Sequence, residues 1–173
     1  EYGGVPPKNQ GDYAWVQHML ASASPDGGRV GVVMPHGVLF RSGAEARIRQ
    51  HLIESDLLEA VIGLPANLFY GAGIPACLLI FRKEKAAGDK GKVRIVDGSK
   101  RFVAGRAQNS LSDQDVAALF EAYTDTDAEI ENVKQAVVDV SEIEANDWDL
   151  NIGRYIEQDA AEIIDTAEAL KAL

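Results

Sequence analysis

The chain has 173 residues, 46% of them hydrophobic, and a formal net charge of −10. That is enough apolar material for one sizeable core, which excludes a disordered or low-complexity polypeptide. No apolar run reaches bilayer-spanning length, the opening residues do not read as a secretory leader, and the lone Cys77 allows no internal disulfide, as suits a reducing cytoplasm.

Residues Glu1–Gly11 are turn-rich and irregular. Glu1 in place of an initiator methionine points to a piece of a longer chain. Asp12 can cap a helix running to about Ala23, with Trp15, Val16, Met19 and Leu20 as its apolar face. A Pro-Asp-Gly-Gly turn at 25–28 follows. Arg29–Pro35 predicts a buried strand, with His36 and Gly37 at its carboxyl end. Gly43–Ser55 predicts a helix, with Ile48, Leu52 and Ile53 inward and Arg47, Arg49 and Gln50 outward.

Leu57–Leu64 and Ala76–Arg82 are apolar runs of strand length, too continuous to be half exposed. The connection between them is too short for a crossover helix. The two strands therefore pair antiparallel, at the end of an otherwise parallel α/β sheet. The loop joining them is long for a hairpin, and long ordered loops often carry function. Pro65 and Pro75 bracket it, and Gly71 and Gly73 shape it. Phe69 and Tyr70 sit in its middle. Two readings stay open for them: Phe69 tucks into the core and leaves Tyr70 exposed, or Phe69 stacks on a flat ligand.

Lys83–Lys92 is a charged loop, and Val93–Val96 a short strand ending at Asp97. Beyond residue 98 the character changes to a mainly helical region, so 1–98 and 99–173 read as two parts. Lys100–Ser110 is polar loop. Ser112 is an N-cap for a helix through Tyr123, with Val116, Leu119, Phe120 and Tyr123 on one face. Ala136–Val140 reads as a strand, Ser141 and Glu144 as a capping box, and Gln158–Leu173 as a helix whose apolar stripe needs a partner.

Charge is split. Residues 1–111 hold 14 Lys+Arg against 10 Asp+Glu, and residues 112–173 hold 3 against 17. A nucleic-acid partner would meet the first part. Arg41, Arg82, Lys83 and Lys85, near strand ends, are candidates for phosphate contact, which positions nucleic acid without reading sequence. No metal-site spacing, phosphate loop or dinucleotide fingerprint is present. Cys77 lies in an apolar strand that favours the neutral thiol. His36, after a strand, is the histidine best placed to meet a ligand. No constellation here amounts to an active site by itself.

Several long stretches resemble the modification (methyltransferase) subunits of type I restriction–modification systems. They are GDYAWVQHML, GRVGVVMPHGVLFRSGAEARIRQHLIESDLLEAVIGLP, LPANLFYGAGIPACLLIFRK, QNSLSDQDV and NDWDLNIGRYI. The resemblance implies the C-terminal half of a Rossmann-like, S-adenosylmethionine-dependent sheet that ends in an antiparallel strand pair, followed by a mainly helical region. It implies transfer of a methyl group to N6 of an adenine flipped out of DNA. Phe69 matches the family's base-packing aromatic, Tyr70 is its neighbouring candidate, and Pro35 and His36 join them on the base side. The family's Gly-rich cofactor loop and Asn-Pro-Pro-Phe/Tyr motif are absent from this sequence. No catalytic, cofactor or metal residue is therefore assigned here, and the fragment alone is expected to be inactive. Implied partners are DNA, a specificity subunit, docked by the C-terminal helices, and a restriction subunit. Self-association through an open Arg29–Pro35 edge or through the C-terminal helix is a further expectation. The alternative is a non-catalytic methyltransferase-like module for assembly or regulation.

Overall fold

A computed structural model describes residues 2–156; the Gln158–Leu173 helix expected from sequence lies outside them. Four helices accompany one five-stranded sheet: α1 (Asp12–Ser22), β1 (Arg29–Pro35), α2 (Ala44–Glu54), β2 (Leu58–Gly63), β3 (Ala76–Arg82), β4 (Lys92–Asp97), α3 (Asp113–Thr124), β5 (Lys134–Asp139) and α4 (Val140–Ala145). A short 3₁₀ turn, His36–Leu39, follows β1, and another, Ile152–Arg154, closes the described chain.

The strands lie in the order β1-β3-β2-β4-β5. The β2–β3 pair is antiparallel, as its short connection requires. Yet β3 does not end the sheet. It lies between β1 and β2 and is antiparallel to both, so β1 and β2 run the same way with β3 inserted between them. Sequence separation reveals the neighbour that a short loop dictates. It is silent on β1, which arrives from the other side through a crossover helix. β4 adds parallel to β2, and β5 antiparallel to β4. The region after residue 98 thus contributes a strand to the same sheet as well as helices.

The two sheet faces are covered unequally. On one, α1, α2, α4 and the 148–156 segment bury Val30, Met34, Val61, Cys77, Leu79, Phe81, Ile95 and Val138. On the other, α3 packs over β2, β4 and β5 and covers Ile62, Leu64 and Val96. It stops short of β1 and β3. There Val33 stays 46% exposed and its β3 partner Leu78 is half-buried. β1 is therefore an edge strand with one buried face, not the fully buried strand its apolar run suggests.

Local chemistry explains the caps. The Ser112 hydroxyl accepts from the Asp115 N–H, and the Asp115 carboxylate accepts from the Ser112 N–H, a complete capping box for α3. The box expected at Ser141 does not form: Asp139 holds the N-cap position of α4 and Ser141 lies within the helix. Likewise Asp12 is the first residue of α1, behind Gly11 as N-cap. Trp15 is 64% exposed, and Tyr13 replaces it in the core. At Gly98 a methyl group would come within 2.3 Å of Leu119 Cδ2 and 2.9 Å of the Gly63 carbonyl oxygen, so glycine is what lets α3 seat against the sheet.

Candidate functional site

The loop between β2 and β3 presents free aromatic surface. Tyr70 is 96% exposed and Phe69 41%. Asn67 and Gly71 turn the chain with φ of 57° and 73°. Asparagine is among the few side chains that tolerate this region, and glycine enters it at no steric cost. Gly73 has ordinary φ and open space around it, so the loop's shape does not depend on it. Phe69 and Ala72 form an isolated bridge, with the Ala72 N–H donating to the Phe69 carbonyl at 3.0 Å. Of the two readings left open by sequence, the one that tucks Phe69 into the core does not hold, although its exposed Tyr70 does. Phe69 lies at the rim of an apolar groove, outside the core, and Tyr70 stands in solvent.

That groove is the uncovered part of the α3 face. Val33, Leu78 and Ile80 form its floor, Val116 and Phe120 of α3 one wall, and Leu68 and Phe69 the loop side. Its volume is ≈ 580 Å³. Val116 and Phe120, expected inward, are 52% and 65% exposed because the sheet beneath them is not reached. At its margin Glu59 accepts from Arg82 at 2.8 and 3.3 Å and from the Tyr123 hydroxyl at 2.5 Å. Burial pushes the Glu59 carboxyl up, but the Arg82 and Tyr123 hydrogen bonds and the Arg82 and Arg29 charges outweigh it and hold the group below its ordinary value.

Beneath the loop runs the 101–111 segment, a polar loop in the sequence whose end, from Gln108, opens the QNSLSDQDV stretch. Its ends are closed by paired backbone bonds between Val103 and Ser110, 2.8 and 3.0 Å long. From it the Asn109 side chain donates to the Ala66 carbonyl at 3.0 Å, the Asn109 N–H to the Asn67 carbonyl at 2.8 Å, and the Gln108 side chain to the Leu68 carbonyl at 2.5 Å. The Asn67 side chain returns a bond to the Ala107 carbonyl at 3.4 Å.

Pro35 and His36 lie at the same end of the sheet as this loop. Pro35 pairs in register with Ala76, and the His36 N–H donates to the Pro75 carbonyl at 3.3 Å. Burial lowers the His36 imidazole pKa, against the opposing charge of Asp97, which favours the neutral ring near pH 7. The turn after His36 is held from below. Val38 O accepts from the Tyr13 hydroxyl at 2.8 Å and from Arg49 at 3.1 Å. Arg49 also donates to Arg41 O at 3.0 Å and Trp148 O at 2.8 Å. Arg49, placed outward from sequence, is 3% exposed. The sequence did carry a signal: residues 45, 48, 49 and 52 share one helical stripe.

The four cations do not gather at this loop. Arg41 pairs with Asp12 at 3.0 Å and with Glu45 at 3.1 Å. β3 carries Arg82 to the opposite end of the sheet, beside Arg29, a strand length of roughly 20 Å from Ala76. There Arg82 holds Glu59, Lys83 donates to the Tyr2 hydroxyl at 2.6 Å, and Lys85 donates to Asp56 at 2.6 Å with its side chain 1% exposed. Cys77 is fully buried, and its thiol is pushed up to about 12 by that burial. Among the described residues no cluster of His, Cys, Asp or Glu is placed to hold a metal ion, and no helix is long and apolar enough to cross a membrane.

A model of the family described as N-6 DNA Methylase matches residues 1–163. The chain belongs to the N-6 DNA methylase family. Its relatives in that family include the MjaVII methylase subunit of a type I restriction enzyme from Methanocaldococcus jannaschii, 38% identical over 89% of this chain and 26% of that protein. The MjaVIII methylase subunit from the same organism is 35% identical over 98% of this chain and 29% of that protein. Among solved structures, the type I restriction-modification system methyltransferase subunit from Streptococcus thermophilus superimposes with a TM-score of 0.81 at 35% identity, over 90% of this chain and 32% of that one. This N-6 DNA methylase chain thus spans between a quarter and a third of the length of each of these three relatives.

Proposed function

We propose that this chain works as part of a type I DNA methylase subunit that methylates N6 of adenine, and that its share is to hold the flipped target base. The observation that carries the reading is the loop of Phe69 and Tyr70, aromatic, exposed and tied down by hydrogen bonds. An adenine swung out of the duplex loses its stacking, at a cost of a few kcal/mol. An aromatic face returns about 1–3 kcal/mol per base. Phe69 and Tyr70 supply such faces, with Pro35 and the neutral His36 completing the base side of the same sheet end. The family membership supports the same reaction class.

S-Adenosylmethionine, when bound, supplies a sulfonium methyl group; it also carries an ammonium, a carboxylate and a ribose diol. The groove walls are hydrocarbon, and Arg29, Arg82 and Tyr123 at their margin already engage Glu59. The residues present do not fit the cofactor's polar end, so none of them is assigned to it. On this reading the sheet is the C-terminal half of a Rossmann-like methyltransferase sheet, with 1–98 the catalytic part and 99–173 the region toward a specificity subunit. DNA and a restriction subunit are the other partners, the cytoplasm is the setting, and the chain alone is inactive. Arg82, Lys83 and Lys85 drop out as phosphate contacts near the base, because they stand at the other sheet end.

In the complete subunit, Phe69→Ala lowers methylation of target DNA about tenfold or more, in line with the loss of 1–3 kcal/mol of stacking, and leaves cofactor affinity nearly intact. Unchanged turnover refutes the reading. A second reading, an assembly module, is favoured by β1, the exposed sheet edge. Light scattering across a wide concentration range tests self-association there, and a clean monomer counts against it.

A further inference from the structure

We propose that Gln108 and Asn109 are positioning residues for methyl transfer: they clamp the peptide of Ala66, Asn67 and Leu68 and so set where Phe69 and Tyr70 stand against the target base. The inference rests on the base-holding role proposed above and adds the residues that enforce it.

Three consecutive carbonyls, those of Ala66, Asn67 and Leu68, accept from these two residues at 3.0, 2.8 and 2.5 Å. They are the last three carbonyls before Phe69. A loop of this length, left to itself, samples many conformers, and ordering each residue's backbone costs about 1–2 kcal/mol. Hydrogen bonds along its approach restrict that sampling before the base arrives.

The clamp is itself anchored. The paired Val103–Ser110 bonds close its base. Arg101 reaches Asp115 at 2.9 Å, and Asp115 is the residue that completes the α3 capping box with Ser112. Leu111, between clamp and cap, packs like Leu68 against the core that Ile62 and Leu119 form on the α3 face of the sheet. From α3 to the aromatic loop there is thus a continuous run of fixed contacts. The side chains of Gln108 and Asn109 are half-buried rather than core, so replacing them is compatible with folding.

The distinguishing test uses near-isosteric substitutions that remove donors: Gln108→Glu and Asn109→Asp, singly and together, in the complete methylase subunit assembled on target DNA. Hydrogen–deuterium exchange of the Asn109 amide, which donates to the Asn67 carbonyl, and of the Ala72 amide, which donates to the Phe69 carbonyl, reads the clamp and the loop it holds. 2-Aminopurine in place of the target adenine reads the position of the flipped base. The double variant is expected to raise exchange at the Asn109 and Ala72 amides at least fivefold, to change the 2-aminopurine signal, and to lower kcat about tenfold with the cofactor KM unchanged. A misplacement of the order of 1 Å can cost up to about a hundredfold in rate, so tenfold fits a partly loosened loop. Asn109→Gln, which keeps a donor, recovers part of the rate. Exchange unchanged at the Asn109 and Ala72 amides overturns the clamp. Faster exchange with normal methylation overturns its role in the reaction. Normal methylation by Phe69→Ala marks failure of the base-holding role instead, a result the exchange measurement does not produce.

Discussion

The two faces of the sheet carry adjacent residues of the same strands to different fates. On β3, Leu79 is 2% exposed beneath α1 and α2, while Leu78 looks into the open groove with Phe69. On β1, Met34 is buried and Val33 is 46% exposed. Composition alone does not separate them, since all are apolar. What separates them is how far each layer of helices reaches: α1 and α2 span the β1 side, whereas α3 sits over β2, β4 and β5. The closed face carries stability, and the open face sits next to the loop assigned to function.

The sharpest way to break this contrast is Arg49→Met. It keeps the apolar stem but strands the carbonyls of Arg41 and Trp148 and leaves the Val38 carbonyl only its Tyr13 bond. At 1–3 kcal/mol per unpaired buried group the expected loss is about 4 kcal/mol, seen as a lower urea midpoint with unchanged slope. Leu79→Ala follows, at about 3 kcal/mol for a large-to-small change in a closed core. Its neighbour Leu78→Ala is expected to cost about 1 kcal/mol, because its site is already open on one side. Equal losses at 78 and 79 refute the unequal coverage.

A pH titration sharpens the boundary between the faces. Glu59 is held below its ordinary value of 4.5 in the folded chain. Its contribution is therefore complete above pH 4.5 and is lost as pH falls through the depressed folded value. Glu59→Gln flattens that acid limb relative to the parent chain; an identical limb in the variant removes Glu59 as its source. The smallest effect belongs to the groove wall: Phe120→Ser, at a ring 65% exposed, changes the unfolding free energy from a urea titration by no more than about 0.5 kcal/mol.

Much of this was legible in the sequence, and the exceptions share a cause. Helix spacing located α1, α2 and α3, and apolar runs located β1 to β4 to within a residue or two. Strand order was not legible, since insertion of β3 beside β1 depends on pairing across a crossover. Arg49 was misread because a charged residue on an apolar stripe looks solvated until the carbonyls that receive it are known. The Phe69–Tyr70 loop was evident from its glycines and aromatics, but its clamp was not. Gln108 and Asn109 act on carbonyls some 40 residues away in sequence, and nothing in a polar stretch announces such partners. That Arg82, Lys83 and Lys85 stand at the other end of the sheet from the Phe69–Tyr70 loop was likewise not legible, because it follows from the antiparallel pairing of β3 with β1.

The Arg49 contacts also set an order in time. One of its three acceptors, Trp148 O, lies 99 residues further along the chain. At a synthesis rate of about 5–20 residues per second, that acceptor emerges roughly 5–20 s after the guanidinium that needs it. Until then the turn behind His36 lacks one of its fastenings, so on the nascent chain the sheet end proposed to meet DNA takes its final shape late.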